Sequence, residues 1–218
     1  MRDEPNLQLS ETFYSIQGES SFAGYPCLFF RLSGCNLRCS YCDAKYTYEE
    51  PATPTPLSTL LNEAARYPNA LIEITGGEPL LQEGVYPLMD ELLAAGRTVL
   101  LETNGSLSIA RVPREVVKII DLKCPDSGMA EKMDLANLTL LAPHDEIKFV
   151  VSSRPDYDWA TAMIRDHCLA EKAKLILSPV IGRLDPALLA QWLMVDALPV
   201  RLQLQLHTLL WPGMKRGG

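Results

Sequence analysis

No stretch of this chain approaches the run of about 18–20 apolar residues that a membrane-spanning helix needs. The polar start Met1-Arg2-Asp3-Glu4-Pro5-Asn6 is followed by no apolar core that would make it a secretory signal. Positive charge is also in deficit: 20 Lys and Arg against 27 Asp and Glu give a net charge of −7 and a sequence pI of about 5.0. A non-specific nucleic-acid binder needs the opposite field. Cysteine is sparse at six residues, too few for a disulfide-stapled mini-fold in a chain of 218. Internal repeats and low-complexity tracts are lacking as well. These absences predict a cytoplasmic protein without membrane or nucleic-acid partners, in which thiols stay reduced and clustered cysteines read as metal ligands. With 47% hydrophobic residues the chain suffices for one sizeable core, so residues 1–218 are expected to form a single domain.

What the sequence does hold is concentrated in Gly34-Cys35-Asn36-Leu37-Arg38-Cys39-Ser40-Tyr41-Cys42-Asp43. Three cysteines at C-x₃-C-x₂-C spacing follow the apolar run Pro26 to Leu32, on a loop opened by glycine. Thiolates this close in sequence can converge on one metal centre. Structural zinc and ordinary iron–sulfur carriers take four protein ligands. A cluster held by three cysteines leaves one iron open. A zinc site completed by Cys27, Cys124, Cys168 or a histidine stays open on spacing alone, although Cys27 and Cys168 read as packing residues.

Beyond this loop, apolar runs of strand length alternate with helical patterns. The predicted strands are Cys27–Leu32, Leu71–Ile74, Thr98–Leu101, Val116–Leu122, Glu146–Val151, Leu175–Leu177 and Arg201–Leu206. Helices are predicted from Thr55 as cap with Pro56 at N1, over Leu81 to Ala95, and near Trp159–Leu169 and Pro186–Leu193. The proline-rich Glu49–Pro56 reads as an irregular connection. Such alternation implies a mostly parallel sheet with helices outside. The chain is short for a closed eight-fold barrel of ~250 residues, so the predicted fold is α/β, an incomplete TIM-type barrel of about six parallel strands with few outer helices.

Nearly every predicted strand ends in a polar or glycine-rich cluster, where barrel-like α/β proteins keep their sites. Thr75-Gly76-Gly77-Glu78-Pro79 offers a backbone edge that a ligand can approach and a carboxylate for an ammonium, although a plain strand-to-helix turn explains it equally. Gln17 and Glu19 could read an amide-and-guanidine edge, or simply form an exposed turn. Arg31, flanked by apolar residues, needs a carboxylate partner from the protein or from a substrate. Leu202-Gln203-Leu204-Gln205-Leu206-His207 alternates, placing Gln203, Gln205 and His207 on one strand face with His207 at its end. Lys123 and Ser127 are weaker candidates, and simple packing accounts for Cys124.

The cysteine loop, completed by the aromatic Tyr41, resembles the cluster motif of the radical S-adenosylmethionine (SAM) superfamily. Further segments narrow this: Tyr14–Glu19, Arg31–Asp43, Ile74–Leu80, Glu102–Gly105, Asp121–Pro125, Glu146–Val150 and Gln203–His207 together resemble the 7-carboxy-7-deazaguanine synthase family from Glu11 to His207. That resemblance implies a lyase on the queuosine route, which contracts 6-carboxy-5,6,7,8-tetrahydropterin to 7-carboxy-7-deazaguanine with loss of ammonia. It implies a homodimer served by an electron donor such as flavodoxin or ferredoxin. Carried over by position, Cys35, Cys39 and Cys42 would bind a [4Fe–4S] cluster. Tyr41, Asp43, Gly77, Glu78, Ser127 and Ser178 would hold SAM. Ile16, Gln17, Gly18, Glu19, Arg31, Thr75 and His207 would line the pterin.

One position departs from the pattern. Some members place Thr or Ser as a Mg²⁺ ligand where this chain has Ala44; Thr47 is the nearby hydroxyl that could substitute. The tail Trp211–Gly218 shows no sign in the sequence of anchoring a carboxylate on the substrate. Two other functions share some of these features. A glycyl-radical activating enzyme would use the cysteine loop and the Gly-Gly-Glu segment on a protein partner. A zinc-stabilised binding module would leave the strand-end clusters without a role.

Overall fold

The computed structural model describes residues 4–214, 216 and 217. Nine strands among them form one sheet: β1 (Asn6–Ile16), β2 (Pro26–Leu32), β3 (Thr53–Pro56), β4 (Leu71–Gly76), β5 (Val99–Thr103), β6 (Val117–Leu122), β7 (Glu146–Val151), β8 (Lys174–Pro179) and β9 (Arg201–Leu202). Their spatial order is β3-β1-β2-β4-β5-β6-β7-β8-β9. From β2 to β9 every pairing is parallel, while β1 and β3 add antiparallel strands at one edge. The sheet is open, as an incomplete barrel requires.

Four helices pack on the outer face: α2 (Leu57–Ala65), α3 (Val85–Ala94), α4 (Arg154–Asp166) and α5 (Pro186–Asp196). Two short ones, α1 (Tyr46–Glu49) and α6 (Leu206–Leu210), flank the strand ends. α2 buries Leu57, Leu60 and Ala64, and α3 buries Val85, Leu88, Met89 and Leu92; both are helical stripes turned to the sheet. α4 starts where the Ser153 hydroxyl accepts from the Asp156 amide, and α5 where the Asp185 carboxylate accepts from Ala187. Side chains such as Phe30, Ile72, Ile74, Leu101, Ile120, Phe149 and Leu177 meet these stripes in one continuous core. Fully burying each such side chain stabilises the fold by about 1.5–3 kcal/mol.

Strand alternation sends the intervening residues to the concave face, where the chemistry changes with height. Its lower layer is apolar at Leu100, Val117 and Ile119, with Phe22 and Leu71 against them, and on β7 it holds the buried Glu146, whose carboxylate accepts from the Ser21 amide at 3.0 Å. Two residues further along the strands come Glu73 on β4, Glu102 on β5, Asp121 on β6, Lys148 on β7 and Ser178 on β8, with Thr75 two beyond Glu73, all facing one cavity. A plugged floor beneath a polar layer therefore follows from the order of residues within each strand.

Three expectations are corrected. Glu49–Pro56 is not irregular throughout, because Thr53–Pro56 pairs with Asn6–Leu9 as β3, and α2 begins only at Leu57. Proline lacks a donor but is tolerated on an edge strand, where one side of the ladder is free. Arg201–Leu206 is a strand only at Arg201 and Leu202. The Leu206 amide donates to the Gly18 carbonyl at 3.0 Å, drawing the chain off the sheet edge and into α6, so His207 sits on a helix. The tail does return to the cavity: Met214, Arg216 and Gly217 line it, and Arg216 pairs with Glu50 while lying over the Tyr46 ring at 4.4 Å. The C-terminal carboxylate of Gly218 lies outside the described residues.

Candidate active site

A cavity of about 780 Å³ opens at the C-terminal ends of the parallel strands, a size typical of small-molecule and cofactor sites. Cys35, Cys39 and Cys42 line its rim, on the loop between β2 and α1. The loop is tied down at several points. The Gly34 amide donates to the Thr47 carbonyl at 2.7 Å, and the Ser40 amide donates to the Ser127 carbonyl at 3.0 Å. The Arg38 guanidinium stacks over Tyr48 at 3.9 Å, and the Asn104 side chain donates through Nδ2 to Asn36 Oδ1 at 3.0 Å. Gly77 closes one side so tightly that a Cβ there would meet the Gly34 carbonyl oxygen at 2.1 Å. Only glycine allows the two backbones this contact.

The donor set fits a cluster held by three cysteines. Burial raises the Cys39 and Cys42 thiols above the ordinary range, and at Cys39 the neighbouring Cys42 and Cys35 sulfurs add to it. A bound metal deprotonates such thiols outright. Among the described residues no three His, Cys, Asp or Glu side chains surround a single point as ligands of one ion would. A cubane distributes its thiolates over separate irons and does not require that. Near the loop, Ser178 presents a buried Oγ without a hydrogen-bond partner, a group that a polar ligand can satisfy.

Of the residues predicted for SAM, Tyr41, Asp43, Gly77 and Ser178 line the cavity. Tyr41 is fixed by donation from its hydroxyl to the Val150 carbonyl at 3.1 Å. Glu78 and Ser127 do not line it. The Glu78 carboxylate is fully buried and accepts from Thr103 Oγ1 at 2.9 Å, the Asn104 amide at 2.8 Å and the Leu80 amide at 3.0 Å. Burial raises its pKa against those donors. Ser127 turns its hydroxyl to the Cys124 carbonyl at 2.6 Å and touches the cysteine loop through its own carbonyl. Both brace the site from behind.

All residues predicted around the pterin line the cavity: Ile16, Gln17, Gly18, Glu19, Arg31, Thr75 and His207. Several side chains already have protein partners. Gln17 accepts from the Glu19 amide at 3.0 Å and donates to Glu73. Glu19 accepts from Lys148 at 2.9 Å and Gln205 at 2.8 Å. Arg31 donates through Nε to Glu11 at 2.8 Å, so the structural pairing is realised while the residue still borders the cavity. A Cβ on Gly18 would meet His207 Nδ1 at 2.6 Å; its absence seats the imidazole against the loop. Thr47 also lines the cavity, and its hydroxyl donates to the Ala44 carbonyl at 2.8 Å.

Sequence reasoning missed the charged network at the base of the cavity. Lys148, with a side chain only 5% exposed, donates to Glu19 and Glu102 and lies 3.7 Å from Asp121, which pairs with Lys123 at 2.7 Å. Thr75 donates to Glu102 at 3.0 Å. Burial opposes ionisation of Glu102, but Lys148 outweighs it and holds this carboxyl down at about 2. Glu73, further from Lys148, is pushed up to about 8 by burial and by the Glu102 charge. Asp121 keeps one buried oxygen without a partner. The signal was available, because Ile72-Glu73-Ile74 and Ile147-Lys148-Phe149 each set a charge within an apolar strand.

Comparison with known proteins identifies the family and the fold. A family model for the radical SAM superfamily matches residues 31–166. A 7-carboxy-7-deazaguanine synthase from Chlorobaculum tepidum is 46% identical over 100% of both chains. One from Koribacter versatilis is 43% identical over 97% of this chain and 100% of its own. Among solved structures, QueE from Escherichia coli shares the fold with a TM-score of 0.77 at 23% identity, covering 92% of this chain and 94% of that one. Streptococcus suis SuiB bound to precursor peptide SuiA aligns with a TM-score of 0.58 at 14% identity, over 80% of this chain and 47% of its own. The chain belongs to the radical SAM superfamily and, within it, to the 7-carboxy-7-deazaguanine synthases.

Proposed function

We propose that the protein is a lyase that converts 6-carboxy-5,6,7,8-tetrahydropterin to 7-carboxy-7-deazaguanine with release of ammonia, on the queuosine route. The observation that carries this reading is the union, in one cavity, of the three-cysteine rim and a polar strand-end floor. A single-ion zinc module has no use for that floor, and a glycyl-radical activating enzyme has none for Gln17, Arg31 and His207, which all line the cavity. Cys35, Cys39 and Cys42 would hold the [4Fe–4S] cluster, and Tyr41, Asp43, Gly77 and Ser178 would border SAM. When bound, these groups supply the radical chemistry that starts the ring contraction. The chain's own share is positioning. Arg31 meets the substrate carboxylate, Thr75 and His207 flank the ring, and Ile16, Gln17 and Gly18 present their backbone to its edge. The plugged barrel floor excludes water from below.

The same reading includes a homodimer in the cytoplasm, reduced by a flavodoxin or ferredoxin, with residues 1–218 as one radical SAM domain. Mg²⁺, if used, would rely on Thr47, water and substrate oxygens, since Ala44 offers none. The test is an anaerobic assay of reconstituted protein with SAM, reductant and the tetrahydropterin, with and without Mg²⁺. Formation of 7-carboxy-7-deazaguanine, lost in Cys35→Ala, supports the reading. SAM cleavage without that product moves it to another substrate.

A further inference from the structure

We propose that Glu73 is a positioning residue for the pterin, fixing the Ile16–Glu19 loop through the Gln17 amide. This deepens the reading above and rests on it. Three observations converge on Glu73. It is 4% exposed and stands in the middle of β4, with Ile72 and Ile74 in the outer core on either side. Its carboxyl faces the cavity and receives the Gln17 side-chain amide. Gln17, itself 3% exposed, has its other side-chain atom occupied by the Glu19 amide. The side chain of Gln17 therefore faces the protein, and the loop can offer a ligand its backbone only while Glu73 holds that side chain in place.

The protonation state of Glu73 makes this hold conditional. The groups around it are the Cys27 thiol on β2, Glu102 on β5, Lys148 on β7 and Glu19 in the loop itself. Lys148 is engaged by Glu102 and Glu19, so it compensates Glu73 weakly. Burial and Glu102 then favour the neutral acid up to about pH 8. As a neutral acid, Glu73 accepts from Gln17 without adding a negative charge to a floor that already carries Glu19, Glu102 and Asp121. Once ionised, it repels Glu102 and Glu19, and the repulsion falls on the loop that Glu19 anchors.

The test titrates 6-carboxypterin, a stable analogue of the substrate, and separately SAM, into the reconstituted enzyme from pH 6.5 to 9.5. Glu73→Ala leaves the Gln17 amide unpaired and is expected to weaken 6-carboxypterin roughly 5- to 100-fold, the range for an orphaned buried donor. SAM affinity is expected to stay within about threefold. Glu73→Gln keeps an acceptor and cannot ionise. It should restore the affinity and remove the alkaline fall, by up to about tenfold per pH unit above pH 8, that the wild type shows beyond the ligand's own titration. Equal weakening of both ligands in Glu73→Ala overturns the proposal, as does an unchanged alkaline limb in Glu73→Gln. If Glu73→Ala does not fold, the Glu73→Gln limb decides alone. A wild type that binds 6-carboxypterin but forms no product refutes the proposed reaction, while the variants still judge the positioning role. A wild type that binds no pterin refutes both.

Discussion

Replacing Lys148 by methionine tests whether the charged floor is balanced as the geometry states. Lys148 is buried beneath the cavity, and its ammonium meets Glu19 at 2.9 Å, Glu102, and Asp121 at 3.7 Å. Removing one partner of a buried ion pair costs about 3–5 kcal/mol, because the other charge is left without compensation. Here Glu19 keeps Gln205 and Asp121 keeps Lys123, so the loss falls mainly on Glu102, which among the described residues retains the Thr75 hydroxyl as its one hydrogen-bond donor, with the Lys123 charge nearby. The expected destabilisation is therefore about 3 kcal/mol, or a fall of about 6–12 °C in Tm for a chain of this size. Lys148 holds the Glu102 pKa down, so Glu102 stabilises the wild type above its ordinary titration range and loses that effect as pH falls toward about 2. In Lys148→Met, burial instead raises the Glu102 pKa, so the deficit narrows on acidification. The double variant Lys148→Met/Glu102→Gln removes both charges and should recover roughly half the loss. Thermal and urea unfolding at pH 5 and pH 7.5 measure the wild type, Lys148→Met, Glu102→Gln and the double variant. A deficit below about 1 kcal/mol, or a double variant weaker than the single one, would refute this account of the floor.

Three other perturbations probe separate parts of the site. Because the folded state raises the Glu73 pKa to about 8, the contribution of Glu73 to stability is complete below its ordinary range and declines as pH rises toward 8. Glu73→Gln should remove up to about 1.4 kcal/mol per pH unit from the stability slope between roughly pH 4.5 and 8, read by denaturant titration. Gly77→Ala forces a Cβ onto the Gly34 backbone, so iron bound after reconstitution should fall well below wild type; normal iron and SAM binding would contradict the packing argument. Ser178→Ala deletes an unpartnered buried hydroxyl and should leave stability unchanged or slightly raised, yet weaken SAM about 5- to 10-fold in a binding titration.

The parallel strands were legible in the sequence because burial on the core side leaves near-continuous apolar runs, and Glu146–Val151 has the same bounds in the structure as in the reading. β1 was missed although Leu7 and Leu9 alternate, because the polar segment Ser10–Thr12 breaks the pattern. β3 was hidden by its two prolines, Pro54 and Pro56, which an edge position allows. The alternation from Leu202 to His207 misled, since a single backbone bond to Gly18 outweighs strand propensity beyond Leu202. At the site, the cysteine loop and Gly77 were readable because their spacing is local. Glu78 and Ser127 were readable as residues but not as roles, because which way a buried side chain turns depends on partners such as Thr103 and Cys124, remote in sequence or hidden behind the loop. Glu73 and Lys148, like Arg31, are charges within apolar strands that need partners, and on that ground the charged floor was legible in the sequence.

The most direct test of the central claim is product stoichiometry under anaerobic turnover with limiting SAM. The proposed conversion of the tetrahydropterin to 7-carboxy-7-deazaguanine and ammonia balances with no net oxidant or reductant, so SAM need not be consumed, and the two products should accumulate in equal amounts, well beyond the SAM supplied. SAM consumed one-for-one with no deazaguanine formed would contradict the assignment of this cavity to a pterin ring contraction.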